Sequence, residues 1–232
     1  SDRQAGVYYS GETRWFFRGG IPEKIASWFG AQDAGRFEPE RTDHYLEIPS
    51  CRTLGVKIRN GRLELKALIG SAEERNFADA VTGFRETWVK WSSSSGSELG
   101  LRELVANPDD RWILVRKKRC LRRFSLENSD VKEMPAIAAQ VVPGCHVELT
   151  AVDVISSGEG FLPLELVEWE RAEPWWSLSL ESFGEPESTL GNLDRAAEYF
   201  FQDPPPMPLP AACSLSYPAW LAELQSAAQP AR

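Results

Sequence analysis

"TLGVKIRNGRLELKALIG", residues 53–70, decides how the rest of the chain is read. Asn60-Gly61 is a two-residue hairpin signal, because both central positions of such a turn need positive φ, which Asn and Gly tolerate. On either side the residues alternate at period two. Lys57 and Arg59 fall on one face of the first arm, opposite Val56 and Ile58; Glu64 and Lys66 oppose Leu63 and Leu65 on the second. A hairpin with one apolar and one charged face follows. Whether the charged face meets water or lines an anion site depends on the other strands.

The same alternation recurs along the chain. Glu12, Arg14, Phe16 and Arg18 share a face of a strand at 7–19, and Glu86 and Lys90 share a face of 80–92. The strand at 111–127 presents either Lys117 with Arg119 or Arg116 with Lys118. His146, Glu148 and Thr150 align on 144–155, which pairs across "SSGE" with 160–170, the strand of Glu165. Ser177, Ser179 and Glu181 align on 174–184. A short strand at 41–48 completes about nine candidates. Residues 129–140 read as a loop or short helix.

One strand of this kind is an ordinary sheet edge-on to water. Many of them, with helices at 21–30, 97–107 and 189–201 whose apolar faces need a sheet to cover, point to a barrel packed outside by helices and charged within. Such an interior is costly to desolvate unless it is wet or filled by a ligand of opposite charge. Short connections make the strands mostly antiparallel, and the absence of βαβ alternation argues against a doubly wound nucleotide fold. The Trp set 15, 88, 91, 112, 169, 175 and 176 is expected to pack the barrel against its helices rather than to stack bases. After 189–201, "DPPPMPLPA" reads as an extended tether. A last helix follows, with Ser216 as cap, Pro218 in its first turn, and Trp220, Leu221 and Leu224 for docking.

Composition excludes several classes. A net charge of −8 disfavours non-specific nucleic-acid binding, which draws on Lys and Arg. No apolar run reaches the ~18 residues of a membrane span, and the start has no apolar signal region, so a cytoplasmic location is expected. Cys51, Cys120, Cys145 and Cys213 form no CxxC or zinc spacing and read as reduced thiols. His44 and His146 are too isolated for a histidine-rich metal site, and His146 reads as a hydrogen-bonded structural residue rather than a general acid or base. GxxxxGK[ST], GxGxxG after a strand, HExxH and GxSxG are all missing.

The order "ETRWFF", "RTDHYL", "LGVKIRNGRLELK", "FRETWVKW", "ILVRKKR" and "VELTAVDV…FLPLELVEWE" resembles the CYTH or triphosphate-tunnel superfamily over roughly residues 8–183. Asp43 and Tyr45 match its D-x-Y strand, Lys57 and Arg59 its strand with two basic residues, Lys66 the next, and Lys117 and Arg119 its Lys-x-Arg strand. The resemblance implies an α+β fold: an eight-stranded antiparallel β-barrel, or tunnel, with outer helices over 1–185. A helical, proline-rich appendage at 186–232 would pack on it. It also implies a polyanionic small molecule in the tunnel (triphosphate, nucleotide or polyphosphate), held by Lys57, Arg59, Lys66, Lys117 and Arg119; Arg14, where this chain departs from the motif, is expected to hold it as well.

Two departures bear on the metal that often accompanies such ligands. Glu12-x-Arg14-x-Phe16 stands where Glu-x-Glu-x-Lys is typical, and Pro163-x-Glu165 where Glu-x-Glu is typical. Glu12, Glu148, Glu165 and Glu181 remain as candidate ligands for Mg²⁺ or Mn²⁺, and metal-dependent triphosphate hydrolysis is the enzymatic form of the expectation. The competing class is a non-catalytic structural or interaction module with a salt-bridged, closed barrel. Cations wholly paired to carboxylates in a filled tunnel would exclude anion binding. Neither a nucleic acid nor a membrane is expected as partner.

Overall fold

The computed structural model describes residues 6–30, 37–93, 112–127, 130–135, 142–155 and 168–228. Asn60 and Gly61 take the positive φ that the turn requires, 50° and 71°. They join β3 (Leu54–Arg59) to β4 (Arg62–Ala78) in the register Lys57 opposite Glu64 and Ile58 opposite Leu63. Opposite-charge pairs therefore face one side of the hairpin and apolar pairs the other, each supporting the register.

Around this hairpin lie β1 (Gly6–Arg18), β2 (Arg41–Leu46), β5 (Val81–Ser92), β6 (Trp112–Ser125), β7 (Lys132–Met134), β8 (Gly144–Ile155) and β9 (Glu173–Phe183). The strand order is β2-β3-β4-β5-β1-β9-β8-β6, and β6 pairs back to β2 through Asp43 opposite Val115 and Arg41 opposite Lys117. The eight strands thus form a closed antiparallel barrel, with β7 paired outside the ring to the far end of β6. Closure leaves these eight without a free edge. The architecture is the expected α+β barrel.

Because strand side chains alternate across the pleat, each strand sends its charged face inward and its apolar face outward. The larger core lies outside the barrel. Trp15, Leu149, Leu178 and Leu180 meet α1 (Glu23–Phe29) and α2 (Thr189–Phe200) through Ile25, Phe29, Leu193 and Phe200, all buried. Gly11 permits the start of α2 to sit directly on β1, since a Cβ there would lie 2.7 Å from the Thr189 carbonyl oxygen. The proline-rich link is fastened too. Trp28 Nε1 donates to the Asp203 carbonyl at 3.1 Å, and Leu209 is bridged to Val81.

The inward face is not charged throughout. Towards one end it becomes apolar, with Phe16, Ile113, Val115, Val152 and Val154, and there the last helix α3 (Tyr217–Ala228) is seated. Trp220 stacks on Phe16 at 4.3 Å and Tyr217 on Tyr45 at 5.4 Å. Ser216 caps this helix by accepting the Ala219 N–H at 3.4 Å. Gly55 on β3 leaves room for it, because a Cβ there would stand 3.1 Å from Pro218 Cγ.

Several local expectations change. β4 continues past Gly70 to Ala78. Its pairing with β5 shifts register between Ile69 and Glu73, where Gly70 adopts φ 72°, so the bulge carries the strand on instead of ending it. Residues 132–134 form a strand rather than a loop or helix, and 169–171 form a 3₁₀ turn rather than a strand end. Trp88 does not pack against helices. It lies on the inward face, fully buried, with Lys66 Nζ 4.0 Å above its ring. Trp175 also faces inward, edge-on to Trp220. The helix expected at 97–107 and most of the strand at 160–170, with Glu165, lie outside the described residues. Among the described residues no helix is long and apolar enough to cross a membrane.

Candidate functional site

The inward faces converge on a cavity of about 1140 Å³ inside the barrel. Its wall carries ten Lys and Arg side chains against five Glu, with Asp43 buried behind them as a sixth carboxylate, so a chain of net charge −8 has a lumen of the opposite sign. All six residues expected to hold an anion line it: Arg14, Lys57, Arg59, Lys66, Lys117 and Arg119. Glu12, Glu148 and Glu181 line it as well. Of the two readings of β6, the lumen takes Lys117 and Arg119, while Arg116 pairs with Asp153 at 2.8 Å.

Three ion-pair clusters divide the wall. In the first, Asp43 on β2 accepts both Arg59 nitrogens at 2.8 and 2.9 Å and Lys117 Nζ at 2.9 Å. Lys57 lies 4.0 Å and Arg41 3.8 Å from the same carboxylate, and Lys57 is shared with Glu64 at 2.9 Å. Burial works against ionisation of Asp43, but Lys117, Lys57 and Arg59 overcome it and hold the carboxyl well below its ordinary range. The cations respond the other way. Burial, with Arg59 and Arg41 close by, pulls Lys57 down to about 8 despite Asp43 and Glu64. Lys117, which also donates to Tyr45 OH at 2.6 Å, falls well below its usual value for the same reasons.

In the second cluster Glu12 meets Lys66 at 3.3 Å and also pairs with Lys90, which reaches Glu181 at 2.5 Å. Burial again opposes ionisation, and Lys66 and Lys90 keep Glu12 far below the carboxylate range. In the third, Glu148 accepts Arg119 Nη1 at 2.9 Å and Arg14 Nη2 at 3.5 Å. Arg119 and Arg123 also hold Glu38, at 2.5 and 3.4 Å. Arg14 Nη1 donates to Ser177 Oγ at 3.0 Å. His146 also faces this lumen and is edge-on to Phe183. Burial keeps its imidazole below the usual pKa although Glu181 and Glu148 pull upward.

The divalent-metal reading meets these carboxylates as they stand. Mg²⁺ and Mn²⁺ take several oxygen ligands at once. Glu12, Glu148 and Glu181 are each engaged by Lys or Arg, and among the described residues no three His, Cys, Asp or Glu group to hold a metal ion. As paired, these side chains offer no preformed metal cluster among the described residues.

Among the lumen residues outside the expected site are Arg41, Asp43, Glu64, Lys90 and Tyr217. Glu64 shares a strand face with Lys66, Lys90 lies on the charged face of Glu86, and stepping back two positions from Asp43 of the D-x-Y match reaches Arg41. Tyr217 gave no such signal, since it belongs to a helix whose place in the barrel is set by tertiary packing.

No family description matches the chain, and no curated protein matches it. Among solved structures it is similar to the PH1012 protein of Pyrococcus horikoshii OT3, with a TM-score of 0.42 and 16% identity over 92% of this chain and 98% of that one. A conserved hypothetical protein of Pyrococcus furiosus gives 0.37 and 13% over 82% and 90%. At these values neither similarity carries a functional argument. What fold and lumen define is a class: a closed eight-stranded β-barrel with a charged interior.

Proposed function

We propose that the barrel binds a phosphorylated or otherwise polyanionic small molecule in its lumen, without requiring a divalent cation. The observation that carries this reading is the excess of ten cations over six carboxylates, five lining Glu and the buried Asp43, around an open cavity of about 1140 Å³. Ion pairs alone leave that excess unbalanced, and an anion that accepts charge-assisted hydrogen bonds from several cations offsets it. The cavity falls at or above the usual range for small-molecule sites, which run to about 1,000 Å³. The motif order resembling the CYTH superfamily supports the same ligand class.

One observation favours a second reading, a salt-bridged structural module: each of the six expected anion-holding residues already touches a carboxylate. Pairing and filling had to coincide to exclude a ligand, and the lumen is paired but not filled. Metal-dependent triphosphate hydrolysis is the enzymatic extension of the first reading. It requires Glu12, Glu148 or Glu181 to exchange a Lys or Arg for the metal.

Thermal-shift titration of the full chain with tripolyphosphate, nucleotides and long polyphosphate separates the readings, in EDTA and again with Mg²⁺ or Mn²⁺. A ligand of the native state raises the melting temperature by mass action. A rise in EDTA that is lost in Lys57→Ala is the expected result. No rise at millimolar ligand under any condition leaves the structural module standing.

A further inference from the structure

The lumen contains buried polar atoms with no partner among the described residues. Thr150 Oγ1, on β8, and the Tyr217 hydroxyl, on α3, make no hydrogen bond, although both residues line the cavity and are only 2% and 8% exposed. Arg41 Nε makes none either among the described residues, and its ion pair with Asp43 is 3.8 Å long. A buried donor without a protein partner costs about 1–3 kcal/mol unless water or a ligand oxygen takes its hydrogen bond.

They surround one place. Thr150 stands opposite Arg119 on β6 and opposite Ser177 on β9, and Ser177 accepts Arg14. Arg14 Cζ lies 4.8 Å from the Tyr217 ring centroid, and Lys117 Nζ lies 4.0 Å from it. Arg41 is the register partner of Lys117. This is where the charged lumen meets its apolar, helix-filled end. Burial raises the Tyr217 phenol to about 12, with Arg14 pulling the other way, so its hydroxyl keeps its proton and can donate at neutral pH.

We propose that Arg14, Arg41, Thr150 and Tyr217 form an inner oxyanion subsite that takes a terminal phosphoryl group of the lumen ligand, making the C-terminal helix part of the binding site. This rests on the polyanion reading above and adds to it the end of the ligand that is held, the group that holds it and the element that supplies the group. Two hydroxyl donors and two guanidinium groups suit a tetrahedral oxyanion, which offers several acceptor oxygens. The same atoms would take free orthophosphate or the end of a phosphorylated molecule, and the experiment carries both probes.

Tyr217→Phe and Thr150→Val each delete an unpartnered hydroxyl while keeping shape. Without ligand, both variants retain or exceed the wild-type unfolding midpoint. Calorimetric titration in EDTA, with inorganic tripolyphosphate and with orthophosphate, reads the effect. The wild-type chain binds both probes, and each variant weakens both about tenfold, the loss expected for one charge-assisted hydrogen bond. Hydrogen exchange adds a measurement that needs no variant: tripolyphosphate slows exchange across residues 217–228. Wild-type binding with unchanged affinity in both variants and unchanged exchange in α3 overturns the subsite and leaves the polyanion reading intact. No binding of either probe to the wild type overturns both.

Discussion

Arg59 holds Asp43 through two parallel hydrogen bonds, Nε to Oδ1 at 2.8 Å and Nη2 to Oδ2 at 2.9 Å, around a carboxylate that is wholly buried. Lys117 takes the same carboxylate at 2.9 Å, and Lys57 and Arg41 stand within 4.0 Å. Two anions, Asp43 and Glu64, therefore answer for these four cations. The lumen is assembled around this shortage, which is both a stability liability and a reason to accept a ligand.

Asp43→Asn tests both halves. Removing one member of a buried pair leaves an uncompensated charge and costs about 3–5 kcal/mol. Lys117, at 3% exposure, is the group left stranded. Urea unfolding is expected to show that loss. Millimolar phosphate should recover more stability in the variant than in the wild type, and chloride at equal ionic strength should not. Equal recovery by the two salts would argue that the deficit is screened rather than filled.

Affinity should depend on pH through Lys57. Its ammonium loses its proton near 8 because burial and neighbouring guanidinium groups disfavour the charge. Tripolyphosphate binding is therefore expected to weaken as pH rises from 7 through 9, and Lys57→Arg should flatten the profile, since a guanidinium stays charged. The same shift has the opposite sign for folding. Below about 8 the native state carries a charge it disfavours. Between 8 and the unfolded value of 10.5 the unfolded chain binds more protons, so this residue's contribution to stability rises with pH. Calorimetry and urea unfolding over that window should diverge, and parallel trends would remove Lys57 from the site.

How far the sequence carries depends on the element. Period-two alternation places Lys57, Arg59 and Lys66 on one surface, and the Asn60-Gly61 turn sets their register, because strand parity is a local property. Which of Lys117 and Arg116 faces inward needed the neighbouring strands, as did the inward turn of Trp88, whose indole is buried beneath Lys66 rather than against a helix. Ion pairing was illegible for the same reason: Glu12 lies 54 positions from Lys66 and Glu148 lies 134 from Arg14. The seat of the last helix depends on apolar residues of five strands meeting Trp220 and Leu221 at one end of the barrel, and no local pattern encodes that.

Acid should unfold the chain through its paired carboxylates. Burial resists ionisation of Glu64, and Lys57 and Arg59 overcome it to hold the group down at about 2, against an unfolded value of 4.5. A depressed carboxyl contributes stability that is complete above the unfolded value and lost as pH falls towards the folded one. Glu12 and Glu148 are displaced in the same direction. The urea midpoint is expected to fall steeply from pH 4.5 to 2.5, and less steeply in Glu64→Gln. An unchanged slope in that variant would mean that its pairs with Lys57 and Arg59 do not persist in solution.

The seat of α3 can be probed at Trp220, which is 1% exposed and whose ring contacts among the described residues are with Phe16, Trp175 and Tyr217. None of these belongs to α2 or to the core outside the barrel, so damage here should stay at this end. Trp220→Ala removes a large buried ring from a stacked cluster, a change that typically costs about 3–5 kcal/mol. Hydrogen exchange is expected to accelerate across residues 217–228 while α2 and β9 keep their protection, because the helix can leave its seat without opening the outer core. Uniform acceleration over the whole chain would show instead that barrel and final helix unfold as one unit. In that case ligand contacts to Tyr217 would stabilise the entire fold rather than the helix alone.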